Sequence, residues 1–327
     1  MLLAIAPSMH KVFTLFSTVL LSFPFLWAGK ATAGPHGEYI ELGKLAGCCG
    51  GTASYEEGGR VGHLCGGNLD LRCRHNSACY CINGVNIYGQ HPVSGGPDQL
   101  KISGLDWRRV IAPLLSPPVI PPLRCVCIDP GHGGSDPGSQ MQRHGLVEKQ
   151  LTLDVARRLR TLLEAKNIRV VLTREEDNFI ALANRPSIAN RSGCDLLLSI
   201  HFNAADGSGA EGVETYILPS QGTASTARLQ NLSAKDREFF PNNRHDGKNL
   251  HLGYCLQREL GTLQLSKDRG LRRGRFLILE NANCAAALVE CGFLTGASEG
   301  QRIGNPQHRQ AIAQALCRGI CVYGNCR

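Results

Sequence analysis

The sequence predicts an α/β domain preceded by a small Cys/Gly-rich module. Three observations carry that prediction. From Cys125 onward, short apolar runs alternate with segments of helical period, the pattern of strands interleaved with helices. Up to residue 112, Gly, Cys and Asn crowd together with only short apolar runs and no long helical period. Between the two, residues 114–122 place four prolines in six positions, which favours an extended, semi-rigid connector. The division is therefore 34–112 for the module, 113–124 for the linker and 125–327 for the α/β domain.

The elements of the second domain follow in order. Residues 125–129 (CVCID) read as a buried strand that runs into Pro130-Gly131-His132-Gly133-Gly134, a turn suited to glycine. Leu151, Val155, Leu159, Leu162 and Leu163 recur at helical spacing and predict a helix over 148–166. A strand over 168–173, a short helix over 181–191, a buried strand over 195–201 and an alternating strand over 212–218 come next. After a polar stretch, Leu250, Tyr254, Leu256 and Leu260 predict another helix. Apolar runs at 277–279 and 286–291 precede a closing helix over 307–322.

At 327 residues, with 43% hydrophobic and 19% charged residues, the chain is not disordered, collagenous or coiled-coil. Residues 1–33 read as a signal peptide: Lys11 precedes an apolar run over 12–27, and Ala31-Thr32-Ala33 fits a cleavage site. The run is short and broken by Pro24, which disfavours a membrane anchor, and no later stretch is long enough to span a bilayer. The net charge of +8, or +6 once Lys11 and Lys30 leave with the leader, suits an anionic cell-surface polymer and is no nucleic-acid footprint. All 15 cysteines lie beyond residue 33, which in an exported chain predicts disulfides, the odd count leaving at least one cysteine unpaired or paired to another molecule. Cys48, Cys49, Cys65, Cys73, Cys79 and Cys81 predict a disulfide-stapled module; a zinc site using some of them with His63 and His75 is the sharper alternative, but lacks paired C-x-x-C motifs. Periplasm, cell surface and medium all fit such a chain.

Three residues stand at element ends, where α/β proteins place ligands and catalytic groups: His132 in its glycine turn, Glu148 opening a helix and His201 closing a strand. Two imidazoles and one carboxylate form a three-ligand zinc set with a position left for water, although each histidine taken singly also reads as a hydrogen-bonded structural residue. Glu290 ends a run that should be buried. It is either salt-bridged, to Arg185 or Arg272, or a general base beside a metal, its pKa raised by desolvation.

The segment Asp129-Pro130-Gly131-His132-Gly133-Gly134-Ser135-Asp136-Pro137-Gly138 resembles the opening motif of the zinc-dependent N-acetylmuramoyl-L-alanine amidases, which are bacterial cell-wall hydrolases. Further matches follow in order: Glu148-Lys149, Thr173-Arg174 with Asp177, Arg185 with Ala189-Asn190, Ser199-Ile200-His201-Phe202-Asn203, Gly212-Val213-Glu214, Asp268-Arg269-Gly270 and Val289-Glu290-Cys291-Gly292-Phe293-Leu294. The resemblance implies a twisted central sheet flanked by helices, Zn²⁺ held by His132, Glu148 and His201, and Glu290 as the catalytic carboxylate. It implies cleavage of the amide between N-acetylmuramic acid and L-alanine, with peptidoglycan as substrate and a protein activator as a candidate partner. A zinc peptidase acting within stem peptides and a non-catalytic wall-binding protein are the alternatives.

Asn203 is expected to orient substrate or a ligand, or to form a turn. Arg185 is expected to pair with Glu290, to receive a peptide carboxylate, or to be a surface charge. His144 and His245 read as bland loop residues. Residues 221–247 read as a solvated insertion, with Asp236 or Glu238 as the alternative of a carboxylate that masks the metal. Tyr39, Tyr55, Tyr80, Tyr88 and Trp107 supply either sugar-stacking surface or the module's core. Cys291 should face away from Glu290, because successive strand residues alternate in direction.

Overall fold

A computed structural model describes residues 38–206, 209–226, 232–263 and 267–326; the expected signal peptide, 1–33, lies outside them. Eleven strands make one sheet. They are β1 (Thr52–Glu56), β2 (Val61–Gly66), β3 (Leu69–Arg74), β4 (Cys79–Ile82), β5 (Val85–Tyr88), β6 (Cys125–Pro130), β7 (Arg169–Leu172), β8 (Leu196–Asn203), β9 (Val213–Ile217), β10 (Asp268–Arg273) and β11 (Ala285–Phe293). Across the sheet the order is β7-β6-β8-β11-β9-β10-β5-β4-β3-β2-β1. Strands β7, β6, β8 and β11 are parallel neighbours, and β9 runs antiparallel to β11 and parallel to β10.

Central parallel strands are covered on both faces, so their sequences are almost continuously apolar. Strand β6 is buried along its whole length, and Glu290 is the only residue of β11 that is not fully buried. Helices α1 (Glu148–Glu164), α3 (Asp246–Gly261) and α4 (Pro306–Gly324) pack on one face; α2 (Asn184–Arg191) and a short helix, Leu277–Glu280, lie on the other. Helix α1 buries Leu151, Val155, Leu159 and Leu163, the stripe its spacing predicts, and truncating one such leucine typically costs about 2–5 kcal/mol. Helix α4 begins with Asn305 capping the Gln307 amide and Pro306 at its first position, and ends at Asn325 in the left-handed conformation, φ 50°.

The module is an antiparallel meander of β1 to β5. Alternation sets its two faces: Leu69, Leu71 and Cys73 of β3 point inward, while Asp70, Arg72 and Arg74 stay exposed. Helix Leu42–Cys48 covers the inner face through Leu42 and Leu45. Of the aromatics expected to stack sugars or fill the core, Tyr80 is core, its hydroxyl donating to the buried Asp106 at 3.2 Å.

The module's sheet does not stop at the linker. Strand β5 pairs in parallel with β10, with Ile87 beside Leu271, so that module and α/β domain share one sheet. The Asn86 amide donates to Asp268 Oδ2 at 3.0 Å, and Gln90 exchanges two hydrogen bonds with Ala224, at 2.9 and 3.1 Å. Residues 117–124 carry no helix or strand; Val119 is 92% exposed, but Ile120 and Leu123 are buried and anchor the linker. Among the described residues no helix is long and apolar enough to cross a membrane.

Candidate metal centre

Strand β6 delivers the chain to a tight turn in which His132 has φ 62°, Gly133 φ 128° and Gly134 φ 58°. A non-glycine residue in that region is strained, and such strain concentrates where a side chain must be aimed. Strand β8 runs beside β6 and carries His201 to the same end of the sheet, while α1 starts there with Glu148. The ligand atoms of His132, Glu148 and His201 all lie within 4.8 Å of one another.

Glu148 is the hub. Its Oε1 lies 3.1 Å from His132 Nε2 and 3.0 Å from His201 Nδ1, and accepts the Phe202 amide at 3.0 Å. Its Oε2 accepts the Ser139 amide and hydroxyl, both at 2.8 Å. Burial alone would raise the Glu148 carboxyl, but the hydrogen bonds and charges of the two histidines hold it well below the usual carboxylate range. His132 Nδ1 contacts Asp136 Oδ2 at 2.8 Å, which turns Nε2 toward the hub. Burial pushes His132 down, yet Glu148 and Asp136 outweigh it and raise its pKa above the ordinary value. An N,N,O donor set of this kind suits zinc and leaves coordination positions open.

Glu290 sits on β11 directly beside His201 in the register. Its Oε2 is enclosed and has no hydrogen-bond partner among the described residues. Burial, then the charges of Glu148 and of the cross-strand neighbour Glu214, push its carboxyl well above the ordinary range. A buried polar atom left unpaired in this way points to a missing partner such as a water or an ion. Cys291 faces the opposite core, as strand alternation requires.

The remaining expectations fare differently. Arg185 neither pairs with Glu290 nor faces solvent: at 2% exposure it donates to Asp129 Oδ1 at 2.9 Å, Pro130 O at 3.0 Å and His132 O at 2.9 Å. It tethers the His132 turn and is closed to a peptide carboxylate. Arg272 likewise pairs with Glu214 Oε2, at 3.2 Å, and not with Glu290. Asn203 Nδ2 donates to Glu214 Oε1 at 2.8 Å. Asp236 is held by Ser233 and Arg275, Glu238 is exposed, and neither joins the metal set. His144 is exposed and His245 part-buried in a short 3₁₀ helix. His63 contacts Asp70 at 2.9 Å, and no second metal-like group occurs among the described residues. Cys125 and Cys194, both buried, bring their Sγ atoms to 3.0 Å.

Three residues around the site, Asp136, Ser139 and Glu214, have no role that the sequence alone assigns. Asp136, four positions after His132, carried a signal in its proximity within the Gly-rich turn. Glu214, on a strand covered on both faces, gives only the cost of burying a carboxylate.

Residues 126–322 match the family model described as N-acetylmuramoyl-L-alanine amidase. The chain is 33% identical over 198 residues to the N-acetylmuramoyl-L-alanine amidase LytC of Bacillus subtilis, covering 61% of this chain and 35% of that protein, so it spans about a third of that relative's length. Among solved structures, an N-acetylmuramoyl-L-alanine amidase from Clostridium difficile is similar at 33% identity and a TM-score of 0.52, over 62% of this chain and 97% of that one. The CwlD amidase from Clostridioides difficile, solved in complex with the GerS lipoprotein, is similar at 26% identity and a TM-score of 0.51, over 61% of this chain and 98% of that one.

Proposed function

The chain belongs to the N-acetylmuramoyl-L-alanine amidase family, and from that premise we propose that it is an exported zinc hydrolase cleaving the amide between N-acetylmuramic acid and L-alanine in peptidoglycan. The observation that carries this reading is the unpartnered, enclosed Oε2 of Glu290 beside the His132, Glu148 and His201 set. Zinc held by those three residues would supply Lewis acidity toward the amide carbonyl and toward an attacking water.

The chain's own residues supply the rest. Glu290, beside His201 in the strand register, takes a proton as water adds to the carbonyl carbon, then returns it to the L-alanine nitrogen as the C–N bond breaks. Asp136 orients His132, Ser139 and the Phe202 amide fix the two oxygens of Glu148, and Arg185 holds the turn from beneath.

Export rests on the leader-like residues 1–33, and disulfide formation in an oxidising exterior rests on the cysteine count, with Cys125 and Cys194 the pair best placed for it. A protein activator is proposed by analogy with CwlD, whose solved complex holds a lipoprotein.

The test is mass spectrometry of muropeptides incubated with the zinc-loaded chain, beside Glu290→Ala and a chelated control. Free stem peptides and peptide-free glycan should form only with the zinc-loaded parent. Glu290→Ala should keep zinc and lose about 10²–10⁴-fold in turnover. Cuts within the peptide, or binding with no release, would replace the amidase reading by a peptidase or a wall-binding protein respectively.

A further inference from the structure

The face of the sheet that carries Glu290 continues outward onto the module. Next to Glu290 stands Glu214 on β9; Tyr216, two residues on, is paired with Arg272 of β10, and Leu271↔Ile87 brings Tyr88 of β5 beside Arg272. Two guanidinium groups converge on one carboxylate there. Arg269 Nε and Arg272 Nε each lie 3.2 Å from Glu214 Oε2. Glu214 is buried, whereas the side chains of Arg269 and Arg272 keep 33% and 18% exposure. The two guanidinium groups thus share the one carboxylate of Glu214.

The hydrogen bonding points the same way. Arg272 Nε also donates to Arg269 O at 3.2 Å, and among the described residues the Nη groups of both arginines have no hydrogen-bond partner. The planes are nevertheless held. The Arg272 guanidinium lies 3.9 Å from the centre of the Tyr88 ring, and that of Arg269 4.8 Å from the Phe293 ring. A fixed fork of unused N–H groups is the geometry that binds a carboxylate bidentately. The contact with β5 is a close one: a Cβ on Gly270 would meet Asn86 O at 2.7 Å.

We propose that Arg269 and Arg272, the latter positioned by Tyr88 of the Cys-rich module, form a subsite for a carboxylate of the stem peptide, so that the module completes the substrate groove. This rests on the amidase reading above. Two strand spacings separate β11 from β10, roughly 10 Å, or about three residues of extended peptide beyond the scissile bond. The occupant is therefore a carboxylate within the first three stem residues, and a neutral peptide of the same length should lose the contact.

The experiment uses the full zinc-loaded chain and two synthetic muramyl tripeptides, one with free carboxylates and one with every carboxylate converted to carboxamide. Arg272→Gln should raise KM about tenfold on the carboxylate substrate, change it less than about twofold on the carboxamide, and leave kcat within about twofold. Tyr88→Ala should raise KM about threefold on the carboxylate substrate alone, and Tyr88→Phe, which keeps the ring, should recover the parent value. Equal effects of Arg272→Gln on both substrates, or none on either, would overturn the subsite. Calorimetry with the free tripeptides separates this from the amidase reading. A parent chain that cleaves neither substrate, yet binds the carboxylate tripeptide in an Arg272-dependent way, keeps the subsite and sinks the amidase reading; loss of that preference sinks the subsite.

Discussion

Gly131→Ala isolates one geometric requirement of the candidate metal centre. A Cβ at this position would lie 2.3 Å from His201 Cε1, 2.5 Å from Nε2 and 2.6 Å from Nδ1. Gly131 is not in the left-handed region, so the change acts through the side-chain clash and not through the backbone angle. Ordinary contact begins at 3.4 Å, which requires the ring to retreat by about 1 Å. Zinc–ligand distances tolerate about 0.2 Å, so the retreat removes His201 from any shared coordination sphere. Loss of zinc affinity should reach or exceed about 100-fold, the upper end of what disturbing a ligand's supporting contacts costs, and overpacking should cost about 1–3 kcal/mol in stability. Competition with a chromophoric chelator measures the first and urea unfolding the second. Gly47→Ala, whose Cβ would meet nothing within 4 Å, is the control. Parent-like zinc affinity in Gly131→Ala would show that His201 does not bind from this position and would refute the ligand assignment.

Two further predictions concern the same turn. Arg185→Met removes the partner of a buried carboxylate, Asp129, and should cost about 3–5 kcal/mol in urea unfolding, part of which Asp129→Asn in the same chain should restore; a cost below about 1 kcal/mol would mean the tether does not matter. Zinc binding must displace the proton that Glu148 and Asp136 stabilise on His132, whose raised pKa keeps the ring protonated to higher pH than usual. Affinity should therefore fall as pH drops through that pKa, by about tenfold per unit for one displaced proton, and isothermal titration showing no pH dependence between about pH 5 and 8 would contradict it.

Local chemistry made much of this protein readable without coordinates. The stripe of Leu151, Val155, Leu159 and Leu163 has the helical period, and the helix forms with that face buried. His132, Glu148 and His201 stand out as candidates because residue type and position at element ends are local properties, and the fold brings the three together. So was the opposed orientation of Cys291 and Glu290, since alternation along a strand needs no partner.

Tertiary structure decided whatever depends on pairing between distant segments. Arg185 on a helix and Asp129 on a strand are 56 residues apart, and only folding shows that they meet and close Arg185 off from substrate. The Glu214 network and the docking of β5 on β10 arise likewise from strand register across the sheet, which no local period encodes. Texture in the sequence divides module from enzyme at the proline-rich linker, because composition changes there. Backbone hydrogen bonding does not divide them, because a sheet edge accepts any strand whose length and alternation fit it, and here the added strand brings Tyr88 to Arg272.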